Sequence, residues 1–373
     1  MSVRLFVEDK FCDSGIFNSA ATRLAGRLEL LLHMSVTRWL VGAVVVAGLV
    51  FALGPRARLD PGPNVTHYSE SGSLETLEEE LERSEDAVRP APKTSARKGI
   101  VWAKPAVRER TPLALVYLHG FSASRPEISP VCERLGERLG ANVFFARLRG
   151  HGQGADALGA ATAEDWMSDV EEAVSVGRRI GERVILVGTS TGATLAVLWC
   201  AHHPAEPGVS GLILVSPNFA PRDSRSRILL WPWGPQMVRA IVGPDGVWQA
   251  QNAGQAEHWT TRYTVGAVTE MMTVCRAAEE ANLSAITRPV LIFGDPRDQV
   301  VDYALVDSRF QEFGSRNKTF VRVRTDGDLA YHVLAGDILS PKHTAAVIRR
   351  MQAFVESLDT VVPSQGSQPP VHD

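Results

Sequence analysis

The run Val184 to Val187 (VILV), the turn Gly188-Thr189-Ser190-Thr191-Gly192 and the apolar stretch ATLAVLWCA limit this chain more than any other feature. Four β-branched or aliphatic residues end at a glycine, and a helical pattern starts five residues later, so a buried strand must reverse direction within one turn. A serine at the apex of such a turn is exposed, with the amides of the following helix aimed at any negative charge that forms beside it. Gly188 and Gly192 suit the close packing that a turn this tight demands.

The rest of the chain repeats the same alternation. Strand candidates are Leu113 to Leu118, Asn142 to Ala146, Val184 to Val187, Gly211 to Val215, Pro289 to Phe293 and Thr319 to Arg324, with helical patterns in most of the gaps. Near-continuous Val, Ile, Leu and Phe in each run predicts strands buried on both faces, hence a mostly parallel sheet flanked by helices over residues 99–358. From Ser216 to Arg288 about 70 residues separate two strands, far more than one crossover helix needs, which predicts an inserted cap at about 217–288. It carries Trp231, Trp233, Trp248 and Trp259, with Tyr263 and the pair Met271 and Met272. Together they suit an apolar pocket wall, and Trp231, Trp233 and Trp259 are the candidates for substrate contact.

Ahead of this body, residues 39–55 (WLVGAVVVAGLVFALGP) carry no charge and would extend about 26 Å as a helix, slightly less than a hydrocarbon core. A transmembrane signal-anchor at 36–55 is expected, with a cleaved signal peptide as its nearest rival. Residues 1–35 read as an N-terminal segment, and Met34 as a candidate true start. Arg23, Arg27 and Arg38 precede the span and Arg56 and Arg58 follow it, weakly favouring a cytoplasmic N-terminus and a catalytic domain on the non-cytoplasmic side. Residues 56–98 read as a stalk with one short amphipathic helix (leucines at 74, 77 and 81) and a solvated acidic face, and 359–373 as a flexible tail.

Lys plus Arg total 39 against 42 for Asp plus Glu, so no basic excess exists to hold nucleic acid. Cys12, Cys132, Cys200 and Cys275 are far apart without a CxxC or Cys/His cluster, which argues against structural zinc and against a disulfide scaffold. The glycines at 150, 152 and 154 lack the Lys-Ser/Thr of a phosphate loop and read as turn residues.

A nucleophilic serine needs a base, and the base an orienting acid. Among histidines after Ser190, His202 and His203 end the helix that the serine begins, His258 lies in the insertion, His343 in a first helical turn and His372 in the tail. His332, in the loop after the last strand, remains. Asp298 and Asp295 both follow the strand PVLIF as candidate acids, and Asp302 is placed to cap the next helix.

With these residues the chain resembles the α/β-hydrolase family, and within it the monoacylglycerol lipases and lysophospholipases, over about Gly99 to Leu358. The motifs are His119-Gly120-Phe121, Arg149-Gly150-His151-Gly152, the GTSTG turn and GDPRDQVV. The resemblance implies the order Ser190, Asp298, His332, selects Asp298 over Asp295, and implies that the amides of Phe121 and Thr191 form an oxyanion hole. Many relatives carry an aspartate just before RGHG, where this chain has Ala146-Arg147-Leu148. The expected function is a membrane-anchored serine hydrolase of carboxylic esters with an acyl chain, needing no metal or organic cofactor. A thioesterase, acyltransferase or aminopeptidase would use the same residues, and a non-catalytic tethered binding protein is the reading from another class. Dehalogenases and epoxide hydrolases need a carboxylate where Ser190 stands.

Overall fold

The computed structural model describes residues 26–27, 38–59 and 72–359. The expectations for most of residues 1–35, including Met34, and for the tail beyond Asp359 lie outside the described residues. Two compact units divide at Pro55.

In the first unit, residues 38–52 form helix α1, with its apolar side chains exposed: Trp39, Leu40, Val44 and Leu49 among them. At 1.5 Å per residue it is about 22 Å long, against a hydrocarbon core of about 30 Å. No helix among the described residues is long and apolar enough to cross a membrane. The described helix lies within the expected span 36–55, whose first two residues fall outside the described ones, and it stops at Ala52, ahead of Gly54 and Pro55.

The second unit is an α/β sandwich. Its strands are β1 (Gly99–Val101), β2 (Thr111–Leu118), β3 (Asn142–Phe145), β4 (Gly181–Thr189), β5 (Val209–Val215), β6 (Asp245–Val247), β7 (Arg262–Thr264), β8 (Val290–Gly294) and β9 (Lys318–Arg322). Its helices are α2 (Leu74–Ala87), α3 (Val131–Leu139), α4 (Ala155–Ala160), α5 (Ala163–Ile180), α6 (Thr191–His202), α7 (Gly234–Val242), α8 (Ala253–His258), α9 (Val265–Glu280), α10 (Tyr303–Glu312) and α11 (Pro341–Asp359). Seven strands make one sheet in the order β1-β3-β2-β4-β5-β8-β9, parallel except for the antiparallel edge β1. β6 and β7 form a separate antiparallel pair. All six strands expected from the sequence lie in the sheet; β1, β6 and β7 are three residues each, too short to show a period.

Alternate residues of the central strands enter two cores. One face buries Ala114, Val116, Leu186 and Leu214 against Trp166 and Val170 of α5 and Leu195 and Trp199 of α6. The other buries Leu115, Tyr117, Ile185 and Ile213 against Leu135 of α3 and Met351 and Phe354 of α11. Burying such side chains on both faces contributes about 1.5–3 kcal/mol each before chain entropy opposes it. Sequence sets the helix ends: Thr162 and Asp165 cap α5 reciprocally, and Gly140, in the left-handed region, closes α3.

Two parts of the chain lie elsewhere than the sequence suggested. The amphipathic helix of the stalk, α2, is docked on the body, with Leu77 and Leu81 in the first core. Its acidic face is only partly solvated: Glu85 is buried and grips Arg147 through Nε to Oε2 at 2.9 Å and Nη2 to Oε1 at 2.8 Å. Thus α2 supplies a carboxylate next to the stretch where relatives were noted to carry an aspartate. Within 217–288, α9 packs on α6, burying Met272, Val274, Cys275 and Ala278, and serves as the crossover helix between β5 and β8. What rises above the sheet is the segment before it, with α7, α8 and the β6–β7 pair.

Candidate active site

The nucleophile candidate sits where β4 meets α6. Ser190 has φ 52° and ψ −119°, a strained conformation for a residue with a side chain, held by Ser190 N donating to Val215 O (2.8 Å) and Asn218 N donating to Ser190 O (3.2 Å). A Cβ on Gly188 would lie 2.6 Å from Ala193 N, and one on Gly192 would strike the Leu118 carbonyl oxygen, so the turn closes only with glycine at both ends. Thr191 is the first residue of α6, and its amide has no acceptor within the helix.

The Phe121 amide comes from the loop after β2. No protein acceptor receives it among the described residues, and its ring is wedged edge-on against Tyr263 (5.3 Å), His151 (6.1 Å) and Trp166 (6.2 Å). His119 fixes this loop to RGHG: its Nε2 accepts from Leu148 N (3.1 Å) and its Nδ1 donates to Gly120 O (2.9 Å). Burial lowers its pKa to about 4, consistent with a neutral ring. The pKa of His151, edge-on to His119 at 4.7 Å, is pushed well down by burial and by His119.

His332 Nδ1 lies 2.8 Å from Asp298 Oδ2, both buried. The other Asp298 oxygen accepts from Val300 N (2.7 Å) and Val301 N (3.0 Å), which aims the carboxyl at the imidazole. Asp295 does different work: it pairs with Arg297 and accepts from Thr325 N (2.8 Å), closing the turn onto the segment after β9. Burial alone would lower the His332 pKa, but the Asp298 charge and hydrogen bond, with the Asp328 charge beyond, leave it raised above an ordinary histidine. Its backbone is held by Asp328 Oδ2, which accepts from His332 N and Val333 N (2.8 Å each), and by Ser216 Oγ, which donates to His332 O (2.8 Å). Three of the other candidate histidines have local partners: His203 stacks on Trp199, His258 meets Ser95, and His343 meets Asp326. Asp302 caps α10.

Ser190 and His332 line one cavity of about 670 Å3, walled by Phe121, Trp248, Trp259, Tyr263, Met271 and Leu329. No direct hydrogen bond joins the serine hydroxyl to the imidazole among the described residues, and His332 Nε2 is left without a protein partner; such bonds often tighten only in the substrate complex. Trp259 lines this cavity, whereas Trp231 (52% exposed) and Trp233 (39% exposed) do not. The two are corrected as substrate contacts: they bracket the entry to α7, where the chain turns them outward. Trp248, another of the four tryptophans expected to wall a pocket, lines the cavity as well; Glu127, Asn218, Gln251 and Asp328 also line it and were not singled out from the sequence, which gives no periodic or motif signal for them. Among the described residues no cluster of His, Cys, Asp or Glu could hold a metal.

The family model Hydrolase_4, described as serine aminopeptidase, S33, matches residues 110–337. The chain is 26% identical over 239 residues to a thermostable monoacylglycerol lipase of Bacillus sp. (strain H-257), covering 64% of this chain and 90% of the relative. Among solved structures, one of the metagenome-derived lipolytic enzymes LipS and LipT matches with TM-score 0.58 at 20% identity, over 71% of this chain and 99% of its own. A soluble variant of the monoglyceride lipase from Saccharomyces cerevisiae, solved with a substrate analogue, matches with TM-score 0.52 at 13% identity, over 82% and 99%. The two structural likenesses establish the shared fold, and the family match spans strands β2 to β9, the RGHG and GTSTG motifs and the loops bearing Asp298 and His332: the chain belongs to the Hydrolase_4 family of α/β-hydrolases.

Proposed function

We propose that this protein is a serine hydrolase that cleaves carboxylic esters carrying an acyl chain, of the monoacylglycerol or lysophospholipid type. The observation that carries the reading is the buried 2.8 Å bond between His332 Nδ1 and Asp298 Oδ2, opening on the cavity that the strained Ser190 also lines. In the proposed reaction Ser190 Oγ attacks the ester carbonyl as His332 Nε2 takes its proton, and Asp298 stabilises the imidazolium. The amides of Phe121 and Thr191 receive the oxyanion. His332 then protonates the departing alcohol, and water activated by the same imidazole releases the acid. The aromatic and Met271 walls favour an apolar acyl group. The 26% identical relative, a monoacylglycerol lipase, supports the same substrate class.

Attachment to a membrane through residues 36–55, with the catalytic body on the non-cytoplasmic side, belongs to the same proposal. It is supported by the uncharged run from Trp39 to Pro55 and by the exposed apolar side chains of α1. A chain-length series of glycerol monoesters, thioesters and aminoacyl amides, run on wild type and Ser190→Ala, tests the reading. Ester hydrolysis that vanishes in the variant is expected; preferred cleavage of the amides, or full activity without the hydroxyl, would overturn it.

A further inference from the structure

A second carboxyl group, unused by the reaction above, lies in the site. Glu127 belongs to the short 3-10 turn Arg125–Ile128 and is only 2% exposed, yet it lines the cavity that holds Ser190 and His332. Its head group is beside the nucleophile: the position a Cβ on Gly120 would take is 2.7 Å from Glu127 Oε1 and 3.1 Å from Ser190 Cβ.

The two oxygens of this group are not equivalent. Oε2 accepts two hydrogen bonds, from Tyr117 Oη at 2.9 Å and from Gly120 N at 2.8 Å. These use both lone pairs of a carbonyl-type oxygen. Tyr117 Oη is in turn 3.2 Å from Thr189 Oγ1, next to Ser190. Oε1 has no protein partner among the described residues, although the residue is almost entirely buried. An ionised carboxylate would place a negative charge, on a residue only 2% exposed, next to the amides that receive an oxyanion. A neutral acid fits: Oε2 is the saturated carbonyl, and Oε1 carries a proton that points into the cavity.

From this arrangement we propose that Glu127 is a further catalytic residue, whose neutral carboxyl donates a hydrogen bond from Oε1 to an oxygen of the bound ester beside Ser190. The inference rests on the serine-hydrolase reading. Burial raises the Glu127 pKa against the lowering effect of its two donors and of His332, which agrees with the geometry. The titratable and charged groups around it are few. Tyr117 faces it from β2, with Cys132 of α3 behind; His332 faces it across the cavity loop, backed by Asp298 and Asp328. Arg125, on its own turn, stacks on Phe145 instead (3.9 Å) and lies 4.0 Å from Glu133.

The test compares Glu127→Gln and Glu127→Leu with wild type across pH. Glutamine reproduces a neutral acid: its carbonyl can accept from Tyr117 and Gly120 while its amide donates where Oε1 stood. Glu127→Gln is therefore expected to keep kcat/KM within about threefold near neutrality and to lose the alkaline limb that ionisation of Glu127 gives the wild-type profile. Glu127→Leu is expected to lower kcat by about 10- to 100-fold, on the scale of removing one transition-state donor. A glutamine variant as impaired as the leucine variant would mean that the anion is what matters, and the inference falls. It falls equally if the alkaline limb is absent from wild type or survives in Glu127→Gln; that comparison holds even if Glu127→Leu does not fold. A fluorophosphonate probe on Ser190 separates the two proposals: failure to label wild type removes the serine-hydrolase reading, whereas normal labelling with an unchanged glutamine pH profile removes only the role of Glu127.

Discussion

At the scale of single residues, His332 sets the pH at which the proposed reaction runs. Its imidazole must be neutral to take the serine proton, and its pKa is raised, chiefly by Asp298 acting against burial. The acid limb of kcat/KM is therefore expected to have its midpoint above the ordinary histidine value of about 6.5, with activity lost as pH falls through it. Asp298→Asn removes the charge and offers the imidazole an amide, so the limb should move to lower pH while kcat drops about 10^3- to 10^4-fold. A pH–rate series on both proteins checks the two shifts together. Ser190 was legible because its constraint is local: strand, tight turn and helix are contiguous. Asp298 and Asp295 are three positions apart in one turn, and residue type alone does not separate them; the family likeness did so, and the distances agree with its choice. Glu127 was illegible because nothing in R-P-E-I announces that a glutamate there is buried, or that Tyr117 and Gly120 converge on one of its oxygens.

At the scale of elements, strands buried on both faces were readable because their composition has few alternatives. The fate of α2 was not. The spacing of Leu74, Leu77 and Leu81 gives an amphipathic helix but not what covers it, and the deciding partner, Arg147, is 62 residues beyond Glu85 in sequence. The ion pair is almost fully buried, so Arg147→Ala leaves an uncompensated carboxylate and is expected to cost about 3–5 kcal/mol. Replacing both partners, Glu85→Leu with Arg147→Met, should recover most of that loss, as read from urea midpoints. The cap illustrates the same limit. Four tryptophans in one insertion announce an apolar surface, yet only side-chain direction separates Trp259 in the wall from Trp231 and Trp233 turned outward. Replacing Trp231 with Ala is accordingly expected to leave KM for a short-chain ester within about twofold, whereas Trp259→Ala should raise it by about 10-fold or more, on the 1–3 kcal/mol scale of such contacts.

At the scale of the molecule, the boundary of the catalytic body falls before α2. A chain lacking residues 1–72 keeps Leu77, Leu81 and Glu85 and is expected to fold, hydrolyse soluble esters and no longer float with liposomes in a density gradient. A chain lacking residues 1–88 exposes the surface those leucines cover and strands Arg147 without its partner, so a large drop in melting temperature should follow. Flotation of the shorter deletion at the wild-type level would remove the tethering role from the apolar segment. Cap and catalytic loop are also linked. Gln251 donates from Nε2 to Asp328 Oδ1 (2.5 Å) and accepts from Leu329 N (3.0 Å), while the other oxygen of Asp328 holds the backbone of His332. A guest bulky enough to displace Gln251 is therefore expected to disturb the loop that carries His332, so esters too large for the roof are expected to be turned over slowly even when they gain entry.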